Sequence, residues 1–343
     1  MIAFDAMGGD HAPKEIVDGA VALVKRGRAV AVFGRKEELL SELARAGSGP
    51  EEVKIFDAPQ VIGMDEPPVQ AVRAKRQSSL VMALEALKCG KVSAVISAGN
   101  SGALLAAATF SLGRQPGIIR PGLVSYLPLT ERGVIALDLG ATVEPKSEHL
   151  VQYAQMGSEY ARELFKIEKP VVGILSNGTE ATKGTSVHRA AREILFSSRG
   201  MFEFIGNVEP ADVMAAKVDV LVSDGFSGNI MLKTLEQLPS MATSVLPSCC
   251  DADSSNFKEE VEKFKRRWWC GGVLAGVNGF VMGMHGSANA DEVAHAGETA
   301  IRLLDELGGD LFVGVPYRRH IDDVRDIVQP RVSLGEKKCD RVE

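Results

Sequence analysis

Short apolar runs alternate with longer amphipathic stretches along most of the chain. The apolar runs have the length of buried strands, and in the stretches between them apolar residues recur every three or four positions, as on one face of a helix. The predicted strands cover residues 1–4, 29–33, 53–56, 94–98, 123–127, 133–137, 171–175, 202–205, 218–222 and 280–284. The predicted helices cover residues 13–25, 37–46, 69–87, 103–110, 147–165, 257–269 and 290–307, and a further helix begins at residue 230. This alternation predicts an α/β fold with a mostly parallel sheet covered on both faces.

Residues 92–110 predict a strand, a tight turn and a helix in succession. The turn has the sequence Gly-Asn-Ser-Gly at residues 99–102. Its glycines allow close approach of a ligand to the backbone, and the first N–H groups of a helix favour an anion. The segment therefore predicts an anion site. The alternative is an ordinary helix start with Ser101 as the capping residue.

Polar residues and glycines also follow the other predicted strands. These segments lie at residues 5–11, 176–185, 206–207, 223–229 and 285–289. Because ligands bind outside the carboxyl ends of parallel strands, we expect these segments to meet around one crevice. The crevice would be rich in amides and modestly basic, which suits a phosphate. A polar turn in which Asp10 caps the first helix is the alternative at residues 5–11.

Two lysines are candidate partners of an anion. Lys183 lies in the polar loop at residues 176–185, whose spacing is not that of a Walker A loop. Lys233 is predicted on the first turn of the helix that begins at Ile230, where the helix dipole disfavours a cation. Either a bound anion compensates for this placement, or the side chain extends into water.

Composition narrows the class of protein. The 343 residues include 45% hydrophobic residues and give a net charge of −6, which argues against a nucleic-acid-binding protein. The five cysteines lack zinc-site spacing and predict free thiols in a reducing cytosol. Neither a signal peptide nor a membrane-spanning run is expected. The motifs of dinucleotide-binding proteins, zinc metalloproteases and serine hydrolases are absent from the sequence.

The chain is predicted to form one domain over residues 1–330. Within it, residues 231–269 are expected to form a helical hairpin, with a loop or linker over residues 239–256. Residues 331–343 are expected to be a polar C-terminal tail.

Several segments in order resemble the acyl-[acyl-carrier-protein]:phosphate acyltransferase family of bacterial phospholipid synthesis. They are FDAMGGDHAP, ISAGNSGALL, RPGL, HLVQYAQMGSEYAR, GTEATKG, FIGNVEP, SDGFSGNIMLKT and GVNGFVMGMHGSANA. The sequence departs from the family at Ala141-Thr142 and at Ser176-Asn177. The resemblance implies a three-layer α/β/α Rossmann-like sandwich of the isocitrate/isopropylmalate dehydrogenase type, with a protruding helical hairpin.

The resemblance also implies an activity, in which inorganic phosphate attacks the thioester of an acyl carrier protein to give an acyl phosphate. No metal or organic cofactor is expected. The expected catalytic residues are Lys183, Lys233, Asn229 and His285, with His285 as candidate general acid. The expected substrate-binding residues are Asp5, Gly8, Gly9, Asp10, Gly99, Asn100, Ser101, Gly102, Asn177, Gly178, Thr179, Asn207, Asp224, Gly225 and Gly228. Asp10 and Asp224 are expected to orient donors rather than touch substrate.

Two other functions stay open on the same crevice. One is a phosphotransacetylase-like enzyme that acts on coenzyme A thioesters, and the other is a non-catalytic protein that binds phosphate or acyl chains.

The expected partners are acyl carrier protein, inorganic phosphate, a second copy in a homodimer and a downstream membrane acyltransferase, without nucleic acid. The expected location is cytoplasmic, with weak contact to a membrane surface. The apolar residues for that contact are Met241, Val245, Leu246, Cys249 and Cys250, next to a basic helix over residues 258–267. Trp268 and Trp269 either anchor the protein at the membrane interface or, as the alternative, pack into the dimer.

Overall fold

The computed structural model describes residues 1–198, 200–245, 254–265 and 267–307. The strands are β1 (Ile2–Asp5), β2 (Val30–Gly34), β3 (Lys54–Asp57), β4 (Ala94–Ser97), β5 (Gly122–Leu127), β6 (Val134–Leu137), β7 (Val171–Leu175), β8 (Glu203–Val208), β9 (Val220–Val222), β10 (Gly272–Ala275) and β11 (Phe280–Gly283). The helices are α1 (Lys14–Lys25), α2 (Lys36–Arg45), α3 (Pro68–Ala74), α4 (Ser79–Lys88), α5 (Ser101–Ser111), α6 (Ser147–Phe165), α7 (Ser186–Ser197), α8 (Pro210–Met214), α9 (Gly225–Val245), α10 (Ser254–Lys265) and α11 (Ala290–Leu307). The predicted α/β class is confirmed.

Within the described residues, the eleven strands form one sheet in the order β3-β2-β1-β4-β11-β10-β5-β6-β9-β7-β8. Neighbouring strands are parallel except at three consecutive pairings, β11–β10, β10–β5 and β5–β6, which are antiparallel. Three reversals of direction leave β6, β7, β8 and β9 running opposite to β1, β2, β3, β4 and β11. The sheet is mostly parallel, as predicted, but its two parallel parts point in opposite directions.

Helices cover both faces of the sheet because the strands present apolar side chains to both. Ile96 of β4 packs into one apolar cluster with α1, α2, α6, α7 and α11. Val95, its neighbour in the same strand, points to the other face and packs with α3, α4 and α5. Leu221 of β9 packs on that second face with α8 and α9. Burial on both faces explains why these strands are continuous apolar runs in the sequence.

The single helix predicted over residues 69–87 is wrong, because the chain forms α3 and α4 with a break between them. At the break, Lys75 Nζ donates a hydrogen bond to Glu66 Oε1 at 2.5 Å and another to the Val61 carbonyl oxygen at 2.7 Å. Ser78 then caps α4 by accepting a hydrogen bond from the Val81 N–H. Neither Gly nor Pro marks the break, so the sequence pattern did not reveal it.

Helix α9 begins at Gly225, five residues earlier than predicted, and continues to Val245 with Pro239 inside it. The loop predicted over residues 239–256 is therefore wrong for residues 239–245 and 254–256, which are helical. Residues 246–253 lie outside the described residues, and so do Leu246, Cys249 and Cys250 of the predicted membrane contact. Helix α10 packs against α9, the arrangement expected of a helical hairpin. The end of the predicted domain beyond residue 307 and the predicted tail also lie outside the described residues.

The two tryptophans pack inside the chain rather than projecting from it as membrane anchors would. Trp268 is 8% exposed and contacts the ring of Phe264 edge-on, with 6.2 Å between ring centroids. Trp269 is 2% exposed and stacks on Tyr126, with 6.0 Å between ring centroids. Their burial makes the predicted role as membrane anchors wrong, whereas packing into a dimer stays a prediction. Among the helices of the described ranges, none is long and apolar enough to span a bilayer.

Candidate active site

The reversal of strand direction places the predicted site residues at two edges of the sheet. We call the edge at the carboxyl ends of β1, β4 and β11 the first edge, and the edge at the carboxyl ends of β6, β7, β8 and β9 the second edge. The first edge carries Asp5, Gly8, Gly9, Asp10, Gly99, Asn100, Ser101, Gly102 and His285. The second edge carries Asn177, Gly178, Thr179, Lys183, Asn207, Asp224, Gly225, Gly228 and Asn229. The expectation of one crevice at one sheet edge is therefore wrong within a single chain.

At the first edge, Asn100 rather than Ser101 caps α5. Its Oδ1 accepts a hydrogen bond from the Ala103 N–H at 3.0 Å, and its Nδ2 donates one to the Met64 carbonyl oxygen at 2.8 Å. Both polar atoms of the Asn100 side chain are thus engaged within the protein. The donors that α5 still offers are the backbone N–H groups of its first residues, Ser101 and Gly102, and the exposed Ser101 hydroxyl.

The glycines of the first edge allow two turns to approach each other. A Cβ at Gly8 would lie 2.6 Å from Asp5 Oδ2 and 2.8 Å from the Gly99 nitrogen. A Cβ at Gly102 would lie 2.7 Å from Pro68 Cγ, so this glycine is required for contact between α5 and α3. The turn after β1 and the turn after β4 are therefore held together as one structure.

Asp5 lies behind these turns and is buried. Its carboxylate is 3% exposed and accepts a hydrogen bond from Ser97 Oγ at 2.7 Å, and Ser97 Oγ accepts one from the Gly99 N–H at 3.1 Å. Burial raises the pKa of Asp5, against the opposing effect of hydrogen bonds from Ser79, Ser97 and Met7. Asp5 and Ser97 therefore position the turn that begins at Gly99.

His285 follows β11 at the first edge and pairs with Glu236 of α9. The distance between His285 Nε2 and Glu236 Oε1 is 2.7 Å, and both side chains are partly exposed. Within the described residues, no hydrogen bond is recorded for His285 Nδ1, whereas Nε2 is paired with Glu236. The next residue, Gly286, accepts a hydrogen bond at its carbonyl oxygen from the Asp10 N–H at 2.7 Å, which connects His285 to the turn after β1.

Lys233 lies on the third turn of α9, so its predicted place on a first turn is wrong. The residue is exposed and precedes Glu236 by three positions, which places both on one face of the helix. Lys233 thus lies near the His285–Glu236 pair at the first edge. The sequence analysis missed Glu236; its spacing from Lys233 on the helix was the available signal.

At the second edge, a buried carboxylate organises the loop after β6. Asp138 accepts hydrogen bonds from the backbone N–H groups of Leu123, Gly140, Ala141 and Thr142, at 2.7–3.2 Å. Burial raises the pKa of Asp138 in spite of these four donors. Sequence analysis did not single out Asp138 as a site residue, although it follows a predicted strand as the other candidates do.

The start of α9 packs directly on this loop. A Cβ at Gly225 would lie 2.7 Å from the Thr142 carbonyl oxygen, and one at Gly228 would overlap Ser223 Oγ and the Asp138 carbonyl oxygen. Asn229 Nδ2 donates a hydrogen bond to the Leu139 carbonyl oxygen at 3.1 Å. These contacts give Gly225, Gly228 and Asn229 a packing role.

Thr142 is one of the positions at which the sequence departs from the family. The residue is buried and accepts a hydrogen bond at its hydroxyl from Arg120 Nε at 3.0 Å.

His188 connects the starts of two helices at the second edge. Its Nδ1 lies 2.7 Å from the hydroxyl of Thr185, which caps α7, and its Nε2 lies 3.4 Å from Asp224 Oδ2. Asp224 Oδ1 accepts hydrogen bonds from the N–H groups of Phe226 and Ser227 at the start of α9. Burial alone would raise the pKa of Asp224, but the bonds from His188 and Ser227 outweigh it and lower the pKa to about 2.

The loop at residues 176–185 is held from inside by two asparagines. Asn177 Oδ1 accepts a hydrogen bond from the Gly184 N–H at 3.1 Å, and Asn207 Nδ2 donates one to the Glu180 carbonyl oxygen at 2.9 Å. Asn207 Oδ1 is buried without a hydrogen-bond partner. Lys183 is exposed, and no ion pair of its ammonium group is recorded among the described residues. Lys183 is therefore the side chain of this loop that can meet an external anion.

Across the described ranges, no three His, Cys, Asp or Glu side chains converge in a way that could hold a metal ion.

Comparison with known proteins gives a consistent match along the chain. A family model described as "Fatty acid synthesis protein" matches residues 1–307. A phosphate acyltransferase of Anaeromyxobacter sp. (strain Fw109-5) is 39% identical over 306 residues, which cover 86% of this chain and 85% of the relative. A phosphotransacetylase structure from Streptococcus pyogenes has a TM-score of 0.61 at 18% identity and covers 89% of this chain and 94% of its own. A 4-hydroxythreonine-4-phosphate dehydrogenase structure from Klebsiella pneumoniae has a TM-score of 0.53 at 15% identity and covers 88% of this chain and 99% of its own. These two structures show a shared fold.

Proposed function

Since the chain belongs to the fatty acid synthesis protein family, with phosphate acyltransferases among its relatives, we propose that it transfers a fatty acyl group from acyl carrier protein to inorganic phosphate. The product, an acyl phosphate, serves phospholipid synthesis. The observation that carries the proposal is the 39% identity to a phosphate acyltransferase over 86% of the chain. The match of the family model to residues 1–307 supports it, because that range includes both edges of the sheet.

The reaction needs little beyond positioning and charge stabilisation. A phosphate oxygen attacks the thioester carbonyl carbon and forms a tetrahedral oxyanion, which collapses as the carbon–sulfur bond breaks. The acyl phosphate leaves, and the carrier thiolate takes up a proton. A thioester is already activated and phosphate is already a nucleophile, so the protein has to hold both in line and stabilise the oxyanion.

We assign the reaction to the first edge. The N–H groups at the start of α5 and the ammonium group of Lys233 supply positive potential for phosphate. Glu236 accepts a hydrogen bond from His285 Nε2, which leaves Nδ1 to donate a proton to the departing sulfur. The imidazolium form of His285 makes this donation, and Glu236 holds its ring in place through Nε2.

The second edge enters the reaction through a homodimer. Lys183 and Asn229 lie at the opposite edge of the sheet from the start of α5, so within one chain they cannot contact the same phosphate as Ser101. In a symmetric dimer, the second edge of one copy faces the first edge of the other and completes its site. The exposure of Lys183 supports this role, because a lysine without a recorded partner in its own chain is free to reach another.

The proposal also includes the detailed fold type, the location in the cell and the contact with a membrane. They are a three-layer arrangement of the isocitrate/isopropylmalate dehydrogenase type, a cytoplasmic location, weak membrane contact through the helical hairpin and delivery of product to a membrane acyltransferase. The likeness to the Klebsiella dehydrogenase supports the fold type only.

A comparison of carrier-bound and coenzyme A thioesters tests the function. Purified protein is incubated with phosphate and either palmitoyl acyl carrier protein or palmitoyl coenzyme A, and free thiol and acyl phosphate are measured. Phosphate-dependent release of thiol from the carrier, at least tenfold faster than from coenzyme A, is the expected result. A preference for coenzyme A would instead identify a phosphotransacetylase-like enzyme, and the absence of turnover with both would identify a binding protein.

A further inference from the structure

An apolar groove lies between α9 and α10, next to the turn that joins β5 and β6. We call it the α9–α10 groove; its volume is about 340 Å³. Its lining residues are Leu129, Leu235, Leu238, Pro239, Ala242, Phe257, Glu260, Val261, Phe264 and Trp268. Glu260, the one charged residue among them, is paired with Lys263 at the exposed surface of α10. The volume falls within the range of about 300–1,000 Å³ typical of small-molecule sites.

The groove is a consequence of how the two helices are patterned. On α9, the lining residues recur at positions 235, 238, 239 and 242, which is one face of a helix. On α10, Phe257, Val261 and Phe264 recur with the same spacing. Leu238 remains 42% exposed, so the two apolar faces do not close on each other. From position 235 to position 242 the α9 side of the groove is about 10 Å long, at about 1.5 Å per residue.

One end of the groove adjoins the polar pair at the first edge. Leu235 lines the groove, and the next residue, Glu236, contacts His285 at 2.7 Å. His285 is followed by Gly286, whose carbonyl oxygen accepts a hydrogen bond from the Asp10 N–H. A continuous line of contacts therefore leads from the groove, through Glu236 and His285, to the turns that precede α1 and α5.

We propose that the α9–α10 groove binds the hydrocarbon chain of the acyl substrate and places its thioester at His285. The proposal rests on the function proposed above. Apart from Glu260, the lining of the groove is apolar, so it provides partners for methylene groups and few for a sugar, a base or a phosphate. The polar pair lies at one end only, which matches a substrate with an apolar tail and one reactive polar head.

Chain length provides the test. Each methylene buried should improve affinity about fourfold. Filling the groove with Ala242→Phe should therefore raise KM at least tenfold for a sixteen-carbon acyl thioester and less than twofold for a four-carbon one. Leu238→Ala, which widens the groove, should improve the binding of acyl chains longer than sixteen carbons. Their KM, relative to that of short chains, should fall several-fold. Ser240→Phe is the matched control, because Ser240 is exposed on the same helix outside the groove.

Direct binding separates this inference from the function. Dodecanoate is titrated into the intact protein and followed by calorimetry, and Ala242→Phe should weaken its binding at least tenfold while Ser240→Phe does not. Binding of this kind without any phosphate-dependent turnover would overturn the proposed function and support the groove. Turnover with equal KM changes for all chain lengths would overturn the groove and leave the function standing. A change in the mass of the assembly with Ala242→Phe, measured by light scattering, would also overturn it, because the groove would then bind a second copy.

Discussion

Single side chains at the two edges divide into those already engaged within the protein and those left to meet a substrate. The amides of Asn100, Asn177 and Asn229 bind backbone groups of their own chain, so they shape turns. Lys233 and Lys183 are exposed, and His285 keeps one ring nitrogen for a substrate. In the proposed reaction, chemistry at the residue scale therefore depends on a few charged groups held by a larger set of structural amides.

The role of His285 as proton donor can be tested by changing the leaving group. His285→Asn should lower kcat about 10²-fold with an alkyl thioester, since proton transfer to the alkyl thiolate is lost. The loss should be below threefold with a thiophenyl ester, whose thiolate leaves without a proton. Glu236→Gln should lower kcat about tenfold on the alkyl substrate, with little change in the phosphate KM. His11→Asn is the control, because His11 is an exposed histidine that also lies at the first edge. If His285→Asn lost equal activity on both leaving groups, His285 would have a structural role.

The pairing of Asp224 with His188 should appear in the acid stability of the protein. The pKa of Asp224 in the folded protein, about 2, lies below its ordinary value of 3.8, so the unfolded chain binds more protons in this range. The stability contributed by Asp224 is therefore present above about pH 4 and is lost as the pH falls towards 2. Asp224→Asn, which still caps α9, should cost about 2 kcal/mol at pH 7 and flatten the loss of stability between pH 4 and 2.

Urea unfolding at a series of pH values measures this effect. Asp65→Asn is the control, because Asp65 is exposed and no hydrogen bond or ion pair of its carboxylate is recorded among the described residues. An unchanged acid profile for Asp224→Asn would show that His188 does not stabilise the carboxylate.

At the scale of elements, helix α9 connects the two edges of the sheet. It begins at Gly225, packed on the loop that Asp138 organises, and three turns later presents Glu236 to His285. The position of its first turn is therefore transmitted along a rigid helix to the polar pair at the first edge.

The contact at the start of α9 leaves no room for a methyl group. Gly225→Ala would place a Cβ 2.7 Å from the Thr142 carbonyl oxygen, a backbone atom that cannot move independently. We expect a loss of about 1–3 kcal/mol in the free energy of unfolding, measured by denaturant titration. Gly63→Ala is the comparison, because its nearest atoms, at 3.1 and 3.2 Å, end flexible carboxylate side chains. Equal stability of both variants would contradict the tight packing of α9 on this loop.

Helices and strands whose own sequence indicates them could be predicted. Those that depend on contacts with residues distant in the chain could not. Helix α11 was predicted with its observed bounds, and β5 and β6 were predicted with their observed ends, at residues 127 and 137. Strand β10 was missed because its segment is rich in glycine, which does not favour a strand. Its extended structure depends on hydrogen bonds to β5 and β11. The break after α3 was missed because it depends on the bond from Lys75 to Glu66.

On the scale of the whole molecule, the three antiparallel pairings determine where the candidate residues lie. They reverse the strand direction in one half of the sheet, so the residues that follow the strands divide between two edges. The position of the candidate residues after strands could be predicted from the sequence, but their division between two edges could not. It depends on the insertion of β10 between β11 and β5, which has no local signature.

Mixing of two variants tests whether two copies share a site. Lys183→Ala and His285→Asn should each be inactive or nearly so as pure proteins. After unfolding and refolding together in equal amounts, half of the dimers contain both chains, and each of these has one intact site. About a quarter of the wild-type activity should therefore return. A mixture as inactive as its components would show that the second edge does not complete the first. Mixing Lys183→Ala with Lys183→Gln is the control that should not recover.

The pairing of β4 with β11 has a consequence for how the protein is made. Ala94 pairs with Phe280, so a strand from the first third of the chain waits for one translated much later. At about 5–20 residues per second, a ribosome makes β11 roughly 10–40 s after β4. During this interval β1, β2, β3 and β4 can assemble, but the free side of β4 is a row of unpaired N–H and C=O groups that can join another nascent chain. A messenger that ends before the codons for β11 would therefore yield a half-sheet prone to aggregation. Among the described strands, β11 is the last to be synthesised, and it covers the free side of β4.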